Sequence, residues 1–162
     1  MAKTIVGIGG LAATKIPGNS IRTLALGSCI AIVLLHPRTR TVGMVHIALP
    51  DSSTNRKKSE IKPGSFVDTG LPALFKEMEK NGCDNNIKSF RIKIAGGASV
   101  LDPNNVFNIG KNNLVAAKKY LWSYGTGVVS EDTGGNISRN VEVEVDTGKV
   151  IISSAGRGSW EI

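Results

Sequence analysis

Two apolar runs, Cys29 to Leu35 and Thr41 to Ala48, are separated only by His36-Pro37-Arg38-Thr39-Arg40, and this arrangement predicts a β-hairpin. Proline pre-sets the backbone for a turn between them. With the turn centred on Pro37-Arg38, Leu35 faces Arg40, Val33 faces Val42, Ala31 faces Met44 and Cys29 faces His46. Directly opposed residues have Cβ atoms roughly 4.5 to 5.5 Å apart on one face of a sheet. The expected register therefore sets a thiol beside an imidazole. A longer turn or a bulge would move the partner along the strand.

The rest of the chain reads as further strands with helices between them. Residues 4 to 8 and about 20 to 26 have strand character, and the polar stretch from Pro50 to Pro63 reads as a flexible loop. Val67, Leu71, Leu74, Phe75 and Met78 recur at helical spacing, so a helix is expected over about 66 to 80, stopped at Asn81-Gly82. Pro72 lies in its first turn or kinks it. Phe90, Ile92 and Ile94 alternate with charged residues in a strand ending at Gly96-Gly97. Leu114, Ala117, Leu121 and Tyr124 mark a second helix closed by Gly125. Val128-Val129, Val141 to Val145 and the segment from Val150 complete the β content. Two helices among about eight strands, without strict βαβ alternation, give an α+β class with helices packed on sheet.

At 162 residues and 41% hydrophobic content the chain suits a single domain, 1-162. Its apolar runs fall far below the roughly 20 residues that cross a bilayer. The glycine-broken N-terminus lacks an apolar signal core, so no membrane insertion and a cytoplasmic location are expected. Free thiols are then the default for Cys29 and Cys83. Cys29, His36, His46 and Cys83 lack zinc-site spacing, and neither metal nor cofactor is expected. A net charge of +7 favours an acidic partner, through Arg38, Arg40, Arg56, Lys57, Lys58 and Lys62. With only 5% aromatic residues and no RNA-binding or zinc-finger pattern, nucleic acid is not the expected partner. Gly7-x-Gly9-Gly10 lacks the third glycine and the helix of a dinucleotide site.

A cysteine can attack a carbonyl and hold it as a thioester once a base takes its proton. His46 could take that proton and later give it to a leaving amine. The Gly27-Ser28-Cys29 bend would let substrate approach the Cys29 amide N–H, a donor for the oxyanion. Thr23 could orient the imidazole through its second nitrogen. The bland alternative is a Cys29 that fills apolar space, a His46 satisfied in the core and a Thr23 that is simply a strand residue.

Five blocks carry a resemblance covering nearly the whole chain. They are Thr23 to Cys29, Val45 to Ser52, Lys93 to Ala98, Asn108-Ile109-Gly110, and Glu131 to Asn136 followed by Arg139. In this order they resemble the motifs of the chemoreceptor glutamine deamidases, the CheD family. The resemblance implies a cysteine hydrolase that converts selected receptor glutamines to glutamate, with Cys29 as nucleophile, His46 as base and Thr23 as third member. It implies a layered sandwich of mixed sheets similar to the catalytic core of deamidating bacterial toxins. It also implies chemoreceptor cytoplasmic helices and a CheC-type phosphatase as partners, with methyl esters as possible further substrates. Phe66, Pro72 and the loop around Arg56-Lys57-Lys58 depart from the family pattern and bear on docking. The competing expectation is a non-enzymatic module that binds such a phosphatase or receptor through the same cleft.

Overall fold

In the computed structural model, which describes residues 1–100 and 106–162, β4 (Ile30–His36) and β5 (Thr41–Ile47) form the expected antiparallel hairpin. Its register differs from expectation by two residues. Ala31, not Cys29, lies opposite His46, and the closing pair is His36 with Thr41. The cause is the turn, which takes four residues. Arg40 adopts a left-handed conformation (φ 59°) and its N–H donates to the His36 carbonyl at 2.9 Å, which lengthens the loop. Because side chains alternate with period two, a shift of two keeps Cys29 and His46 on one face, as diagonal neighbours.

Two mixed five-stranded sheets stack face to face. The first has the order β1 (Lys3–Ile5), β3 (Ser20–Leu26), β8 (Arg139–Glu144), β9 (Val150–Ser154), β10 (Gly158–Glu161). The second runs β2 (Leu11–Thr14), β5, β4, β6 (Arg91–Gly96), β7 (Ser130–Thr133). The pairs β1–β3 and β6–β7 are parallel and the others antiparallel. Between the sheets pack Ile21, Leu26, Val33, Met44, Val143 and Ile152. On the outer face of the second sheet, Ile32, Leu34, Val45, Ile47, Ile92 and Ile94 meet α2 (Val67–Lys80) and α3 (Ile109–Ser123) through Leu71, Leu74, Met78, Ala117 and Leu121. The architecture is a sheet–sheet–helix sandwich of the α+β class. Sequence follows position: β4, covered on both faces, is apolar from Ile30 through Leu35, whereas β8 alternates buried and half-buried residues.

Several local expectations shift. The stretch from Pro50 to Pro63 holds a 3-10 turn, Ser52–Thr54, and a short helix, α1 (Arg56–Ile61). Asp51 and Asn55 cap them by accepting from Ser53 and Lys58 N–H. Residues 11–14 form a strand that sequence reading passed over. Pro72 lies beyond the first turn of α2, and α3 begins at Ile109, ahead of its apolar periodicity. Among the described residues no helix is long and apolar enough to cross a membrane.

Candidate active site

The site is built where the chain leaves the first sheet for the second. β3 ends in a bulge: Thr23 pairs with Val141 but Leu26 pairs with Arg139, leaving an extra residue on the β3 side. Ala25 absorbs it with φ 58° and is tied by the Asn140 side chain, whose Oδ1 accepts from the Ala25 N–H at 3.0 Å. Both Thr23 and Leu26 thus point into the sandwich while Leu24 is exposed. Gly27-Ser28-Cys29 then crosses between the sheets, and β4 begins at Ile30.

Gly96 and Gly97 hold this crossing. Gly97 N–H donates to the Cys29 carbonyl at 2.9 Å and Ala98 N–H to the Gly27 carbonyl at 2.8 Å. Gly96 has φ +107°, and a Cβ there would lie 2.4 Å from the Cys29 carbonyl oxygen, so only glycine fits.

Thr23 and His46 meet across the sandwich, with Oγ1 2.7 Å from Nδ1 and both residues buried. The same hydroxyl lies 2.6 Å from the Val6 carbonyl oxygen. A carbonyl can only accept, so the single hydroxyl hydrogen goes to Val6 and Thr23 accepts from the imidazole. His46 is therefore protonated on Nδ1, and its Nε2 carries the lone pair. That Nε2 is buried and has no hydrogen-bond partner among the described residues. Gly9 N–H donates to the His46 carbonyl at 2.8 Å, and His46 N–H donates to the Gly10 carbonyl at 3.1 Å, which holds its backbone from the other side.

Cys29 is partly buried and packs against the core between the sheets, on the face that carries His46. Burial pushes its thiol above the ordinary value, with its own backbone N–H pulling weakly the other way. Burial lowers His46 to about 4. Both groups therefore rest neutral at pH 7. Desolvation disfavours both charged forms.

Next to the Gly27-Ser28 crossing lies a cleft of about 290 Å³, lined also by Ala98, Ser99, Phe107, Ile109 and Gly110; Cys29, the following residue, is not among its lining residues. Gly27 and Ser28, expected to contact substrate, thus line an opening. The other histidine and cysteine stand apart. His36 Nδ1 contacts Thr39 Oγ1 at 2.8 Å, and Cys83 Sγ lies 3.5 Å from that oxygen, at the turn end of the hairpin. Among the described residues no three His, Cys, Asp or Glu side chains gather as a metal would require.

Sequence reading missed two contributors, the Val6 carbonyl and Asn113, and quoted a third, Arg139, in a motif block without a role. The Val6 carbonyl left no signal, since any residue supplies one. Asn113 on α3 donates from Nδ2 to the Ser28 and Ala48 carbonyls, both at 3.0 Å. Its signal was an amide on the helix face formed by Gly110, Ala117 and Leu121. Arg139, buried, donates to the Gly134 carbonyl at 2.9 Å and to Asp132 at 3.1 Å, and Asp132 also accepts from the Trp160 indole, joining the two sheets.

Comparison with known proteins places this architecture. The probable chemoreceptor glutamine deamidase CheD of Syntrophotalea carbinolica is 48% identical over 162 residues, covering all of both chains. The probable chemoreceptor glutamine deamidase CheD 1 of Syntrophus aciditrophicus is 42% identical over 96% of each chain. The chemoreceptor glutamine deamidase CheD of Thermotoga maritima is 40% identical over 96% of this chain and 94% of its own. Residues 48–154 match the family model described as CheD chemotactic sensory transduction, beginning just past His46. With that match over most of its length, and relatives that also span Thr23, Cys29 and His46, the chain belongs to the CheD family.

Proposed function

We propose that this chain is a cysteine-dependent protein-glutamine deamidase acting on chemoreceptor cytoplasmic helices, in keeping with the names its relatives carry. The observation that supports the chemistry best is the chain from Val6 carbonyl to Thr23 hydroxyl to His46 Nδ1–H, which leaves Nε2 as a fixed base on the face that carries Cys29.

The substrate carboxamide enters the cleft at Gly27-Ser28 with its carbon toward Cys29. The sulfur attacks that carbon as its proton moves to His46 Nε2, and Thr23 stabilises the resulting imidazolium by accepting from Nδ1–H. The Cys29 amide N–H, which in the free protein lies against its own sulfur, faces the developing oxyanion. Collapse breaks the C–N bond, and the nitrogen leaves as ammonia with the proton from His46. A water, deprotonated by Nε2, then cleaves the thioester to give glutamate and the neutral thiol. The same acyl chemistry extends to glutamate methyl esters, with methanol as leaving group.

Basic residues of α1, Arg56, Lys57 and Lys58, would favour an acidic helix. A CheC-type phosphatase as competitor for this surface and a cytoplasmic setting are parts of the same proposal.

The test is incubation with a receptor cytoplasmic fragment, reading ammonia release and a mass gain of about one dalton per converted glutamine. Cys29→Ala and His46→Ala should abolish both. Activity unchanged in either variant would overturn the assignment.

A further inference from the structure

We propose that Arg139 is a positioning residue: by holding the Gly134 carbonyl it fixes the turn that carries Gly96 to Ser99, the segment against which the Cys29 peptide is set. The inference rests on the deamidase reading above.

The chain passes between the sheets twice at this place. Gly27-Ser28-Cys29 leads from β3 to β4, and residues 134–138 lead from β7 back to β8. Leu26, the last residue of β3, lies opposite Arg139, the first of β8, so the two crossings leave the first sheet side by side. Directly opposed side chains share a face, and the Arg139 side chain therefore enters the sandwich beside Leu26, where it is buried. One terminal nitrogen of its guanidinium donates to the Asp132 carboxylate at 3.1 Å and the other to the Gly134 carbonyl at 2.9 Å, which closes the second crossing on itself.

The turn so held grips both ends of one segment. Gly134 N–H donates to the Gly96 carbonyl, and Ser99 N–H donates to the Gly135 carbonyl, both at 2.9 Å. Between these points Gly97 and Ala98 N–H hold the Cys29 and Gly27 carbonyls. Ala98 and Ser99 also line the cleft. Gly134 and Gly135 both have positive φ, 78° and 69°, and a Cβ on either would meet nothing within 4 Å. Backbone conformation rather than close packing calls for glycine there. Glycine has the most conformational freedom to lose, so a turn built on two of them keeps its shape only where outside groups hold it.

A link between the sheets does not by itself call for arginine. Replacing a buried ion pair with apolar side chains is often neutral or stabilising, and the Arg139 Nε is buried without a partner among the described residues. What arginine adds is a planar fork that reaches a carboxylate and a carbonyl two residues further on at the same time. Without it the Gly134 carbonyl is released, the turn loosens, and the Gly96–Ser99 segment shifts with the Cys29 peptide tied to it. A displacement on the order of 1 Å at a reacting group is enough to cost about 10²-fold in rate.

Two variants separate this role from a structural one. Arg139→Met keeps the length and removes both donors, whereas Trp160→Phe removes the indole bond to Asp132 and leaves the Gly134 contact in place. On the receptor fragment, counted per folded molecule, Arg139→Met should lower kcat by about 10²-fold while KM changes little. Trp160→Phe should keep kcat. Amide exchange of the whole protein, followed residue by residue, reads the turn without any substrate. The Gly134 and Ser99 amides should be protected in the unsubstituted protein and exchange at least about tenfold faster in Arg139→Met, while the β4 amides keep their rates. Retained kcat in folded Arg139→Met would overturn the proposal, as would an equal loss in Trp160→Phe. So would unprotected Gly134 and Ser99 amides in the unsubstituted protein, a result that needs no variant to fold. If the unsubstituted protein releases no ammonia while those two amides loosen in Arg139→Met alone, the deamidase reading fails and the hold on the turn stands.

Discussion

Thr23 and His46 sit on different sheets, yet their side chains meet at 2.7 Å, and the hydroxyl between the Val6 carbonyl and the imidazole decides which ring nitrogen is a base. The two sheets thus collaborate in one proton position. Replacing Thr23 with valine keeps the shape and removes the acceptor, leaving the Nδ1–H buried and unpaired. Thr23→Val should lower kcat by about 10²-fold, within the range of general-base effects, and cost about 1 to 3 kcal/mol of stability. Thr23→Ser should retain most activity. Ring ¹⁵N shifts of His46 should report the Nδ1–H form in the unsubstituted protein and a mixture in the valine variant; an Nε2–H form in the former would refute the relay.

Burial of His46 also makes stability depend on pH. The group titrates near 6.5 when unfolded and at about 4 when folded, so between these values the unfolded chain binds more protons. Stability is full above about pH 6.5 and falls as pH drops toward 4, by about 3 kcal/mol in total. Urea titrations from pH 7 to 4 should show this slope, and His46→Gln should flatten it. An unchanged slope in the variant would assign the effect to other groups.

The raised Cys29 thiol predicts slow alkylation of the free protein near neutrality. Iodoacetamide labelling should climb with pH and continue to rise beyond the range where an ordinary cysteine levels off. A plateau already reached below pH 7 would show a standing thiolate and contradict the neutral pair.

Gly96 has a positive φ and no room for a side chain against the Cys29 carbonyl. Gly96→Ala should destabilise the protein by about 1 to 3 kcal/mol. Ammonia release should fall further than the loss of folded protein accounts for, because the strain is placed on the nucleophile's own peptide. Thermal melts alongside kcat measured well below the melting point will separate the two effects.

Much of this molecule was legible in its residues. Period-two and period-3.6 patterning identified the hairpin and the two longer helices, and the five motif blocks pointed to the family. The parity of the β-strand held as well: a register error of two leaves Cys29 and His46 on one face, because the pleat repeats every second residue. Contacts made through backbone were not legible, because a carbonyl at Val6 or a left-handed Arg40 has no residue type reserved for it. Strand β2 was missed for a related reason, since Leu11–Thr14 is short and half-buried and takes its partner from β5.

What the sequence determined by itself is the set of chemical groups and the faces on which local periodicity presents them. Only the tertiary structure decided which groups meet. The imidazole tautomer, the neutral resting state of thiol and ring, and the Asn113 bridge from α3 to the Ser28 and Ala48 carbonyls all arise from segments distant in sequence closing on one point. Their energies depend on exclusion of water and on distances of about 3 Å, which no local pattern encodes.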